Sequence, residues 1–282
     1  MVLALPQDLL LTRLASLHDS DLKSLIVGGL RLATGRVSGL SHSELVELCS
    51  SELRTVAGFS SINLLRRGTG RDLPYKQLLI DVADRLSPGY TPLSWTKYRM
   101  NDAHKEEDIE ADILDLFEER ARKWWGKLPD KKRAEFIDGI NTVIEGAESG
   151  VGAVKRGAIP LIQQQAMENL IQAGLVTGLS KVSAGGLLGV AGISLLGQMG
   201  WLILVQTVGW MAGLKIAVFG IGGYGAFGGA VTFLGASAVG AAVALPGLLL
   251  LLDGPAYRKT VPTTVMLLAK TRLDTIAEEG AS

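Results

Sequence analysis

Hydrophobic and polar residues follow two different rhythms along this chain. Up to about residue 150, apolar positions recur every three or four residues between charged ones. From Val182 to Leu252 they run almost without interruption. The first rhythm is that of helices with one face in a core and the other in water. Leu22, Leu25, Ile26 and Leu30 share such a face, with Asp19 or Ser20 as the capping residue. Ser41 and Glu44 have capping-box spacing ahead of Leu45, Val46 and Leu48. Ser60 or Ser61 is placed to open a short helix through Leu65, and Arg66 to Asp72 reads as a polar turn. Tyr75, Leu78, Leu79, Val82 and Leu86 predict a helix that Pro88 and Gly89 stop.

After a connector with Pro92, Trp95 and Tyr98, a charged amphipathic helix is expected from about Lys105 to Lys127. Ile109, Ile113, Leu116, Phe117 and Trp124 fall on one face; Glu106, Glu110, Asp112, Glu119 and Lys123 lie largely on the other. Pro129 and Asp130 start the next helix, with Phe136, Ile137, Ile140 and Ile144 inside, and the two helices are expected to pack on one another. Ile113, Phe117, Trp124 and Trp125 are the candidate partner-binding residues of this pair, with ordinary core packing as the alternative. Glu148 to Pro160 reads as a glycine-containing hinge. Pro160 suits the first turn of a helix running through Gln163, Gln164 and Gln165 to about Leu175.

The second rhythm asks for a different solvent. Across the 71 residues from Val182 to Leu252 the only formal charge is Lys215, and 17 of the chain's 35 glycines lie there. A spanning helix needs about 20 apolar residues, and Ser183 to Val205 and Gly228 to Leu252 each supply such a stretch. Glycine at this density weakens a helix in water by up to about 1 kcal/mol each. In a membrane bundle the pairs Gly185/Gly189, Gly209/Gly213 and Gly225/Gly229 would instead give small-residue faces suited to close helix approach and self-association. Lys155, Arg156 and Lys181 precede the block; Arg258, Lys259, Lys270 and Arg272 follow it. Positive flanks at both ends imply an even number of passes, in the simplest case a hairpin with Lys215 in its connection or reaching an interface. The alternative is an apolar hairpin stored inside a soluble fold. A moderately amphipathic last helix is expected around Val265 to Ile276.

Composition narrows the function. The 282 residues carry 28 basic and 28 acidic side chains, so no global basic field marks a nucleic-acid partner. The first eleven residues lack the positive start of a secretory signal. Cys49 is the lone cysteine, expected buried, with no second thiol for a disulfide or metal site. His18, His42 and His104 are scattered. Asp108, Glu110 and Asp112 alternate like a calcium loop but have Ile113 where its glycine belongs. Gly220-Ile221-Gly222-Gly223-Tyr224-Gly225 matches a dinucleotide fingerprint without its strand, its helix or its acidic residue. No catalytic, cofactor or metal residues are named from the sequence.

Leu64 to Gly68, Tyr75 to Leu86, Ile109 to Leu114 running on to Trp124, Phe136, Ala256 to Pro262 and an early Asp21-Leu22 helix start occur here in one order. Together they resemble the YaaW-like family of uncharacterised bacterial proteins, grouped through its middle section with the ubiquinol–cytochrome c chaperones. That resemblance implies a non-catalytic, helical, membrane-linked protein, with a chaperone-like section over about 74–147. The expectation is thus an all-α protein in two parts. Residues 1–150 would form a cytosolic helical domain, and 158–282 a membrane-associated helical region with an apolar core at 182–252, in a bacterial inner membrane. Its expected partners are the lipid bilayer and a protein, and its expected function is interaction or assembly. The alternative is a membrane-perturbing or pore-forming effector.

Overall fold

The computed structural model describes residues 8–58, 73–88, 103–150, 163–176, 207–208 and 257–281. Their regular structure is entirely helical, as the all-α expectation has it. The elements are α1 (Leu9–Ala15), α2 (Asp19–Ser24), a π-turn (Leu25–Gly29), a 3-10 turn (Thr34–Arg36), α3 (His42–Gly58), α4 (Tyr75–Leu86), α5 (Glu106–Lys127), α6 (Asp130–Gly150), α7 (Gln164–Ala173) and α8 (Tyr257–Ala281). Among the described residues no helix is long and apolar enough to cross a membrane. The apolar block, apart from Thr207 and Val208, lies outside them, as do Lys215, the Gly220–Gly225 run, the short helix expected at Ser60 and the turn at 66–72. Backbone contacts group the chain into two units: Met1–Leu116 with Leu251–Thr271, and Phe117–Leu250 with Arg272–Ser282.

In the first unit α1 packs on α3, α2 on α3 and the π-turn, and α3 on α4. The capping box forms: Ser41 N–H donates to Glu44 Oε2 at 2.7 Å, and Glu44 N–H donates to Ser41 Oγ at 3.4 Å. The Ser41 hydroxyl, also donating to Glu44, and the Ser41 N–H hold that carboxyl below the usual carboxylate range. Asp8 caps α1 through Leu10 N–H at 3.1 Å, and its second oxygen receives Arg54 Nη2 at 2.6 Å. Arg54 also donates to the Leu73 carbonyl at 2.6 Å, so one guanidinium joins α1 and α3 to the residues just before α4.

Three expectations need correction. First, the N-cap of α2 is His18, with no side-chain cap bond, and Asp19 is already helical. Beyond Ser24 the helix widens into the π-turn, where Leu30 N–H bonds to Leu25 carbonyl at 2.8 Å. It ends on Arg31, which takes a left-handed φ of 59°, while Leu32 N–H closes back to Ile26 carbonyl at 3.1 Å. Second, Glu110 is not on a solvated face: it is 7% exposed. Third, α8 starts at Tyr257, ahead of the expected Val265, and runs through Pro262. The moderately amphipathic pattern expected over Val265 to Ile276 is absent from its first half, because every side chain from Pro262 to Ala269 is buried. A proline this near the helix start removes one backbone bond without ending the helix, and burial on all sides leaves no polar face to read. α4 is likewise buried throughout Leu78–Leu86, Asp81, Asp84 and Arg85 included.

Close packing around α8 depends on a glycine. A Cβ on Gly29 of the π-turn would overlap Thr263 Oγ1 and come within 3.3 Å of Thr263 Cα, a backbone atom that cannot swing aside. In the second unit α6 packs on α7, and α5 meets α6 through Trp124, Trp125 and Phe136. Gly126, exposed near the end of α5, has open space where its Cβ would be.

Two glycine substitutions should therefore move stability in opposite directions. Gly29→Ala should destabilise by about 1–3 kcal/mol through overpacking, while Gly126→Ala should stabilise by up to about 1 kcal/mol. Thermal melts of both variants check this, and equal behaviour would refute the packing assigned to Gly29.

Cys49 is fully buried in α3, and burial pushes its thiol from the ordinary 9.0 up to about 12. Above about pH 9 the unfolded thiol loses its proton while the native one keeps it. Native protein then binds more protons, and this contribution to stability falls as pH rises towards 12, by about 1.4 kcal/mol per pH unit. Urea midpoints measured across that range should drop more steeply for the wild type than for Cys49→Ala; parallel slopes would remove the burial argument.

Candidate functional site

The partner-binding candidates named from the sequence are all interior. Ile113, Phe117, Trp124 and Trp125 are buried along the stripe of α5 that also holds Ile109 and Ala121, and Leu128 just past its end is buried too. Trp124, Trp125 and Phe136 form a ring cluster with centroids 5.5–6.0 Å apart. Arg133 closes it: its guanidinium carbon lies 5.6 Å from the Trp125 ring centre, its Nε donates to the Trp125 carbonyl at 3.2 Å, and its Nη1 donates to Glu168 on α7 at 3.1 Å. The Trp125 indole N–H is buried without an acceptor among the described residues. These side chains join α5, α6 and α7, and the faces they leave to solvent are charged. Lys215 lies outside the described residues.

What the apolar pattern did not announce is a set of buried carboxylates, each held by groups distant in the chain. In the first unit Glu110 faces Arg13 in a two-pronged pair, Nη2 to Oε2 at 2.9 Å and Nε to Oε1 at 3.4 Å. The Tyr75 hydroxyl donates to Oε1 at 2.8 Å. Burial first, then the Glu110 charge, pushes the Tyr75 phenol well above its ordinary range, and the hydrogen bond to Glu110 raises the Arg13 guanidinium. Asp21 on α2 accepts an ion pair from Lys270 on α8 at 3.3 Å, with both side chains largely buried. The Arg85 guanidinium carbon of α4 sits 3.9 Å over the Tyr257 ring of α8, a cation–π contact.

In the second unit Glu118, 6% exposed, accepts the Val176 N–H at 2.9 Å just past the end of α7. Gly174 makes that approach possible: its φ is +93°, and a Cβ there would overlap the Glu118 carboxylate. The one foreshadowing in the sequence is an acid beside each stripe position, Glu110 after Ile109 and Glu118 after Phe117. Their partners, up to 97 residues away, carry no periodic signal.

Chemically these are occupied groups. Arg13 and Tyr75 between them hold both oxygens of Glu110, so the cluster positions helices and presents no free acid or base to a substrate. Among the described residues no three His, Cys, Asp or Glu side chains are grouped as a metal site would require. His42 bonds Asp19 at 2.7 Å and the Ala15 carbonyl at 3.2 Å, joining α3 to α2 and the end of α1. No protein-family model, curated protein or solved structure matches the chain.

Removing single members of the Glu110 cluster should cost far more than removing the whole. Tyr75→Phe should lose about 1.5–3 kcal/mol, the worth of a bond to a charged group. Arg13→Met, which strands a buried carboxylate, should lose about 3 kcal/mol or more. The triple replacement Arg13→Met, Tyr75→Phe, Glu110→Leu should recover most of that loss. Urea unfolding of the series checks it, and simple additivity would contradict the coupled arrangement.

Proposed function

We propose that this chain is a non-catalytic, membrane-associated interaction or assembly factor, a helical body held at a bilayer by the apolar block Val182–Leu252. The observation that carries the reading is the junction after the block. A stretch of 71 residues with one charge is followed, after only Asp253 to Ala256, by α8. From Pro262 to Ala269 that helix is buried on all sides, and it is tied by Asp21–Lys270 and by the Gly29–Thr263 contact. Four residues therefore separate, along the sequence, the apolar block from a helix that belongs to the buried core of the first unit. An apolar run of this length suits hydrocarbon better than water, and the glycine pairs within it favour association between helices or between copies. The order of segments resembling the YaaW-like family supports the same reading, with the helical part in the cytosol at a bacterial inner membrane. A protein partner would meet the charged outer faces of α5 and α6, since Ile113, Phe117, Trp124 and Trp125 are turned inward.

In carbonate extraction of membranes from expressing cells, the protein should stay in the pellet and leave only with detergent. Release by carbonate would overturn the proposal. Dye-loaded liposomes should stay tight in its presence; leakage would move the function to a membrane-perturbing effector.

A further inference from the structure

We propose that the corner between α5 and α6 is a docking edge for an anionic bilayer surface, recognised through lipid phosphate headgroups. The inference rests on the membrane reading above and adds to it the part of the helical body that meets the lipid.

The charge pattern of α5 is sharply divided. From Glu106 to Glu118 there are seven acids and no base; from Arg120 to Arg133 there are seven bases and one acid. Acid at the start and base at the end of α5 agree with its helix dipole. The start of α6 does not: Lys131, Lys132 and Arg133 sit in the turn where positive charge is electrostatically disfavoured. Lys132 and Arg133 are compensated there by carboxylate partners, which leaves Lys131 as the base of that turn without one among the described residues.

The bases at this corner have two distinct fates. Lys132 pairs with Glu135 at 2.6 Å, Arg133 with Glu168 at 3.1 Å, and Lys123 with Glu119. These are structural or locally neutralised. Lys127 and Lys131, one on each side of the Leu128-Pro129 turn, are exposed and have no carboxylate partner among the described residues. Trp124, Trp125 and Leu128, their neighbours in sequence, are buried, while the two lysines stay exposed. Charge complementarity calls for an anionic partner, and the same chain carries an apolar block suited to a bilayer. A lipid surface answers both features, whereas a soluble anion answers only one. Each lysine near such a surface contributes about fivefold to partitioning.

The experiment uses the full chain reconstituted in lipid nanodiscs, with a fluorophore on Gly126→Cys. Gly126 is exposed with open space around it, while the native Cys49 is buried and its thiol stays protonated. The readout is quenching by a nitroxide carried on the lipid headgroup. In discs containing phosphatidylglycerol the probe should be quenched. Quenching should be lost in phosphatidylcholine discs and in high salt. In Lys127→Gln/Lys131→Gln the partition of the corner onto the surface should fall about 20- to 30-fold. Equal quenching in both lipids, or none in either while the protein remains in the discs, overturns the docking edge and leaves the membrane reading standing. Failure to enter discs at all overturns both. A signal that depends on protein concentration and not on lipid charge assigns the corner to a second copy and overturns the lipid proposal.

Discussion

Burying a helix on every side is demanding, and α8 sets that demand for the whole first unit. From Pro262 to Ala269 no side chain reaches water, so neighbouring elements must supply apolar contact, close backbone approach and polar partners at once. Leu267 and Met266 take the apolar contact, each fully buried aliphatic side chain contributing about 1.5–3 kcal/mol. Gly29 supplies the close approach, and Asp21 the counter-charge for Lys270. Arg85 covers the Tyr257 ring. The π-turn carries the Gly29 that makes this approach, and the chain leaves it through the left-handed Arg31.

The same logic of long-range tethering recurs with charge. Arg13 reaches Glu110, Arg54 reaches Asp8, and Glu118 reaches the backbone past α7. A buried carboxylate with its partners in place is worth little beyond an apolar pair of the same shape, yet leaving it without them is costly. Each member of such a set is thus costly to lose, while the set as a whole adds little net stability.

How much of this could be read beforehand follows from the range of each interaction. The α3 cap was legible because Ser41 and Glu44 are three residues apart. α4 and the α5 stripe were legible because apolar spacing is local, and Ile109, Ile113, Phe117 and Trp124 are indeed the buried face. Glu110 was placed with the solvated residues because its position lies at the border of that stripe, and only Arg13 and Tyr75 make its burial tolerable. The full length of α8 was hidden by Pro262 and by three threonines, residues that read as loop when nothing local shows that they are interior. The candidate partner-binding aromatics were found as a group, but a stripe of large apolar residues looks the same whether a neighbouring helix or another protein covers it.

The placement of α8 also orders events during synthesis. Residues 257–271 complete the core that residues 1–116 begin, so that core stays open on the ribosome until the chain has been made well past Leu252. The apolar block thus emerges while its amino-terminal unit is still unfinished, exposing surface of the kind that chaperones recognise.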